Sequence, residues 1–148
     1  MNTLMIFPLA ALALAVSAYA YLAKRQPEYP NARVIAVFTL LGGGLGGLLV
    51  LLPIGLVEQQ GLGELWGLGM ALGVVIGTLP AALCGVLLAF LRAAYSGENV
   101  ALAVAAGALA SAAMGLVWAH DGIVAVWTAC TGGLSAAILS AIVLPKAL

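Results

Sequence analysis

The sequence predicts an all-α protein: a bundle of five transmembrane helices forming one domain over residues 1–148, with the N-terminus outside and the C-terminus inside. Three observations carry this expectation. First, 65% of the residues are hydrophobic and 7% are charged, whereas a soluble domain carries about 25% charged residues. So few charges leave a water-facing surface uncovered, and the natural solvent for the chain is lipid. Second, five stretches each approach or exceed the roughly 20 mostly apolar residues that a membrane-crossing helix requires. Third, the basic residues sort to one side once those stretches are placed.

The first span covers residues 3–23. It imitates a signal peptide, because Ser17-Ala18-Tyr19-Ala20 offers an A-x-A cleavage pattern. The basic region that should precede the apolar stretch is missing, since residues 1–7 contain no Lys or Arg. Charge placement decides the matter. If the span is retained with its N-terminus outside, Lys24, Arg25, Arg33, Arg92 and Lys146 all face the cytoplasm; if it is cleaved, all of them face out. Basic loops resist translocation, so the retained, N-out arrangement is expected. Pro8 lies in an early turn, where it is tolerated.

Residues 24–33, stiffened by Pro27 and Pro30, lead into the second span, 32–57. This span spells G-x-G-x-x-G at Gly42, Gly44 and Gly47. The dinucleotide fingerprint works where a strand ends and a helix begins, so that free N–H groups meet a pyrophosphate. Inside a spanning helix those N–H groups are already bonded, and exposing them in lipid costs several kcal/mol each. No nucleotide site is expected. Gly42 and Gly46 instead begin a run of small residues four apart, which share one helix face. Pro53 is expected to bend this span near its outer end.

The third span, 65–91, carries the longest such run: Gly69, Gly73, Gly77, Ala81, Gly85 and Ala89. Pro80 removes one helical hydrogen bond and predicts a kink, with Thr78 close enough to bond a freed carbonyl. The fourth span, 100–119, repeats the pattern at Ala103, Gly107, Ser111, Gly115 and Ala119, and the fifth, 122–144, at Ala129, Gly133, Ala137 and Ala141. Ribbons of this kind let helix backbones approach closely, held by dispersion and weak Cα–H···O contacts. Packing within one chain is the simpler use of them; an oligomer, or docking to another integral membrane protein, is the alternative.

Aromatic residues sort in the same sense as the charges. Trp66, Trp118 and Trp127 lie toward the outer face and Tyr19, Tyr21, Tyr29 and Tyr95 toward the inner one, as interfacial belts require. No Asp, Glu, Lys, Arg or His lies at depth. Proton-coupled carriers and intramembrane hydrolases depend on such groups facing a wet cavity, so catalysis is not expected. His120 and Asp121 form an adjacent pair, but in the tight turn between the last two spans. Cys84 and Cys130 lie in apolar runs without further donors at ligand spacing, so no metal is expected and the thiols read as small hydrophobes.

One polar stripe remains. Thr128, Thr131 and Ser135 fall at i, i+3 and i+7 on one face of the fifth span, and Ser111 and Thr78 could face them from neighbouring helices. Hydroxyls of this kind can line a path for a small neutral solute, or simply bond carbonyls of their own helix. The expected function is therefore non-catalytic. The chain reads as a small multi-pass protein of a bacterial inner membrane that acts through helix–helix contacts as an accessory, regulatory or immunity-type subunit. An oligomeric channel or carrier lined by the fifth-span hydroxyls is the alternative. Its expected partners are the lipid bilayer and itself or another integral membrane protein; no cofactor, nucleotide or nucleic acid is expected.

Overall fold

In a computed structural model the chain forms α1 (Ile6–Arg25), α2 (Asn31–Glu58), α3 (Leu62–Phe90), α4 (Gly97–Ala119) and α5 (Gly122–Val143). The structure describes residues 5–58 and 62–146, with side chains described outside 52–66, 68 and 69. All five helices are long and apolar enough to cross a membrane. Trp66, Gly69 and the side chain of Pro53, all singled out above, lie outside the described side chains.

Local chemistry sets each visible boundary. α1 runs two residues past the expected end because Lys24 and Arg25 suit the negative end of a helix dipole. It stops at Gln26, whose N–H still donates to the Leu22 carbonyl (2.7 Å), because Pro27 forces the preceding residue out of the helical region. Its φ and ψ are −140° and 64°. Pro30 precedes the first residue of α2, and Asn31 Nδ2 donates back to the Gln26 carbonyl at 2.8 Å.

α3 passes through Pro80 without interruption and closes with a Schellman motif. The Ala93 N–H donates to the Leu88 carbonyl (3.0 Å) and the Arg92 N–H to the Ala89 carbonyl (3.1 Å). Arg92 occupies the left-handed position that glycine usually takes, with φ 51°. α4 starts three residues earlier than its apolar run, because Ser96 is extended and its hydroxyl accepts the Asn99 N–H at 3.3 Å. Two residues, His120 and Asp121, connect α4 to α5. His120 ends α4 in the left-handed region, and Asp121 caps α5 by accepting the Ile123 N–H at 2.8 Å.

The helices pack as two antiparallel hairpins, α2 with α3 and α4 with α5. The hairpins meet along α2–α5 and α3–α4, and α1 lies mainly against α3. One end of the bundle is firmly clasped. There Leu22, Val34, Ile35, Phe38, Leu88, Ala89, Leu139 and Val143 form a continuous buried cluster. Side chains tie the connecting segments across it. The Tyr29 hydroxyl donates to the Ala93 carbonyl (2.7 Å) and Arg33 Nη2 to the Ile142 carbonyl (3.1 Å). The Tyr95 N–H donates to the Pro145 carbonyl at 2.7 Å. Each such bond contributes about 0.5–1.5 kcal/mol, and together they hold the stretches 29–33, 93–95 and 142–145 at one end. Toward the opposite end, where α4 turns into α5, the described residues border a cavity.

Candidate functional site

Glycines set how closely the helices approach. A Cβ added to Gly73 would lie 2.5 Å from the Gly43 carbonyl oxygen and 2.6 Å from the Gly47 Cα, and one on Gly77 would lie 3.0 Å from the Gly43 Cα. These are backbone atoms, which cannot move aside. Further along the same seam, a Cβ on Gly42 would lie 2.6 Å from the Ala81 Cβ, and one on Gly85 2.6 Å from the Phe38 Cβ. In the second hairpin a Cβ on Gly107 would meet the Ala136 Cβ at 2.7 Å and the Gly132 carbonyl oxygen at 2.8 Å, and Gly115 faces Thr128 and Ala125. These glycines lie on seams within one chain.

Two positions behave differently from the sequence-based ribbon. Gly133 has ordinary spacing, with Val104 3.4 Å from its added Cβ; the close approach is made by Gly132 against Ser111 and Gly107. Thr128, Gly132, Ala136 and Ser140 are spaced four apart, and counting hydroxyl residues as small would have found this face. Gly46 faces across to α5, where the Ser135 Oγ lies 3.6 Å from its added Cβ, so it borders open space rather than a tight seam.

That open space is a cavity of about 300 Å³ between the two hairpins. Phe38, Cys84 and Leu139, all buried, close it at the clasped end. Leu72, Trp118 and Val124 line its other end and are substantially exposed, so the cavity opens there. The Trp118 ring also meets the Phe7 ring of α1, with centroids 5.5 Å apart. No Asp, Glu, Lys, Arg or His lies among the described residues that line the cavity.

Four of the five hydroxyl residues picked out in the sequence converge on this cavity: Ser111 from α4, and Thr128, Thr131 and Ser135 from α5. The three on α5 donate to their own helix. Thr128 Oγ1 reaches the Ala125 carbonyl (3.0 Å), Thr131 Oγ1 the Trp127 and Thr128 carbonyls (3.2 and 3.1 Å), and Ser135 Oγ the Thr131 carbonyl (2.8 Å). Their oxygens keep lone pairs as acceptors. Thr78 does not join them. It is buried, its backbone lies against Gly43 in the α2–α3 seam, and its hydroxyl has no hydrogen-bond partner. The expectation that Thr78 would bond the carbonyl released by Pro80, or face the stripe, is therefore corrected: the glycine seam holds it elsewhere.

Asp121, His120 and Cys84 each make a local contact or end a helix within the fold. The Asp121 carboxylate caps α5, and His120 forms the left-handed end of α4. Cys84 is buried and its thiol points to the Ala103 carbonyl of α4 at 3.6 Å, whereas Cys130 is exposed on α5; both are free. At the clasped end, burial pushes the Tyr29 phenol up to about 12, which keeps it protonated as a donor to Ala93.

Comparison with protein-family models, characterised proteins and solved structures found no match to this chain.

Proposed function

We propose that the protein is a non-catalytic, multi-pass protein of a bacterial inner membrane that works by contacts within the bilayer, as an accessory or regulatory subunit of a membrane system. In this reading the N-terminus is outside, the C-terminus is cytoplasmic, and Lys24, Arg25, Arg33, Arg92 and Lys146 anchor the clasped end at the inner face. The observation that carries it is the division of labour between helix faces. Small residues join each hairpin internally. The outward faces of α4 and α5 present large aliphatic groups such as Leu109, Val117, Ile123, Val126 and Ile142, all exposed. A stiff scaffold with an apolar exterior suits lateral association with another membrane protein, where dispersion and shape decide affinity. Purification from the native membrane in mild detergent tests this. A distinct membrane protein recovered in fixed proportion is expected, and a lone species would count against it.

A second reading, a binding site or partial path for a small solute, is favoured by one observation: Ser111, Thr128, Thr131 and Ser135 line a single cavity. Because Phe38, Cys84 and Leu139 close one end, the cavity reads as a site rather than an open pore. Flux through liposomes, compared between the parent and Thr131→Val, tests conduction; equal flux in the two would remove the hydroxyl stripe from any transport role.

A further inference from the structure

We propose that the cavity holds one acyl chain of a membrane phospholipid, with its tail toward Phe38, Cys84 and Leu139 and its headgroup outside the mouth formed by Leu72, Trp118 and Val124. The proposal concerns the same cavity as the solute reading but depends neither on it nor on the subunit reading. It rests on the shape of the cavity and on what its wall is made of.

The cavity is axial. α2, α3, α4 and α5 form a ring in which each packs against the next, and α2 makes no close approach to α4 across the middle among the described residues. Each of the four lines the space over about three turns or more. On α3 the lining runs from Leu72 to Cys84, an advance of about 18 Å at 1.5 Å per residue. The volume of about 300 Å³ corresponds to about ten non-hydrogen atoms at roughly 30 Å³ each. Ten atoms spread over that depth fit a single file, whereas a compact ring would occupy only a fraction of the length. An extended carbon chain advances about 1.2 Å per bond, so volume and depth bracket an alkyl chain of about ten to fifteen carbons.

The wall favours hydrocarbon over water. Between the closed end and the mouth it presents glycines together with Ile76, Pro80, Ala81 and Met114. Thr128, Thr131 and Ser135 spend their O–H groups on carbonyls of α5, and the Ser111 hydroxyl packs against Gly132 in the α4–α5 seam. A buried water needs two to four polar partners; the α5 hydroxyls offer it acceptors while their donors are turned away. Left empty, the lining atoms lose dispersion partners on one side. A chain drawn from the surrounding bilayer restores those contacts and desolvates no polar group, because it is apolar before and after entry.

The closed end supplies the reporters. Phe38, Cys84 and Leu139 are 1%, 2% and 3% exposed, so lipid outside the bundle does not reach them, while a chain threaded along the axis does.

The test uses the full chain in lipid nanodiscs containing phosphatidylcholine whose palmitoyl chain carries a photoreactive diazirine. One probe has the diazirine near the methyl end and a second has it next to the ester. Free palmitate with the diazirine near its methyl end is the third. After illumination, mass spectrometry of peptides locates the label. The tail-labelled phospholipid is expected to mark Phe38, Cys84 or Leu139 at about tenfold the yield of the ester-proximal probe, which should mark the region of Leu72, Trp118 and Val124 instead. The Gly46 side of α2 lines the cavity, and an added Cβ there lies 3.6 Å from the Ser135 Oγ. Gly46→Leu therefore overfills the axis and should cut labelling of the closed end about tenfold. Thr131→Val removes a hydroxyl while retaining its volume and should leave that labelling within about twofold.

Equal yields at the closed end from the two phospholipid probes, or no label there from any probe, would overturn the threaded chain and leave the subunit reading intact. That comparison is made in the parent protein and needs no variant. Labelling by free palmitate alone would replace the phospholipid with a free fatty acid as the source of the chain. Yields indifferent to Gly46→Leu in folded protein would overturn this cavity as its location. A tenfold loss in Thr131→Val would make the hydroxyl a recognition element and return the cavity to the polar-solute reading.

Discussion

Gly73 and Gly43 lie backbone to backbone: a methyl group on Gly73 would stand 2.5 Å from the Gly43 carbonyl oxygen and 2.8 Å from the Gly47 nitrogen. No side chain can yield there, because the obstructing atoms belong to the opposing main chain. Gly73→Ala should therefore push α2 from α3 and destabilise the protein by about 1–3 kcal/mol, the usual range for overpacking. Gly67→Ala is the control, since nothing lies within 4 Å of its added Cβ. It should be neutral or stabilising by up to about 1 kcal/mol through helix propensity. Thermal unfolding of both variants in the same detergent makes the comparison, and equal losses would show that close approach is not what holds the hairpin.

Arg92 closes α3 in the left-handed region, with φ 51°, where an L-residue with a side chain is disfavoured by about 1–2 kcal/mol. The Schellman hydrogen bonds to Ala89 and Leu88 use main-chain atoms alone. Arg92→Gly should retain them and raise stability by about 1 kcal/mol. A lower melting temperature would mean that the guanidinium makes a contribution larger than the backbone strain it imposes.

Asp121 and His120 should separate by role. Asp121→Ala removes the N-cap of α5 and should lower stability by about 0.5–2 kcal/mol, while Asp121→Asn should retain most of it. His120→Gly should be neutral or mildly stabilising, because His120 is left-handed at φ 53° and exposed. Any activity abolished by His120→Gly without loss of stability would restore a chemical role to this turn.

Tyr29 makes the clasped end sensitive to alkali. Its phenol ionises at about 12, against 10.0 for the free side chain. Below pH 10 both folded and unfolded forms are protonated, and the bond to Ala93 contributes fully. Between pH 10 and 12 only the unfolded form ionises, so stability falls as pH rises; above 12 the folded phenol also loses its proton and the clasp with it. A titration of tyrosinate absorbance should include a step at about 12, and Tyr29→Phe should abolish that step along with the alkaline loss of stability it causes.

Much of the fold was legible in the amino-acid order. Apolar runs of spanning length marked all five helices, because in lipid a backbone must satisfy its own hydrogen bonds and a helix does so locally. The errors fell at the ends and in the rotations. Ser96 moved the start of α4 forward to Gly97 by capping it, and the tight face of α5 passed through Gly132 rather than Gly133. A shift of one residue turns a helix by about 100°, and composition constrains that angle weakly when glycine and alanine are abundant on every side.

Sequence alone determined where the chain is apolar, where its charges sit, and which hydroxyls share the face of α5, since those follow from the order of residues and the helical repeat. Tertiary structure alone decided that Ser111 joins that face while Thr78 is drawn into the α2–α3 seam, and that Ile76 and Pro80 border a cavity. The physical reason is that the tight glycine contacts close each hairpin internally, while the bonds of Tyr29 and Arg33 tie one hairpin to the other at the clasped end. The resulting gap depends on distances between helices that no single helix encodes.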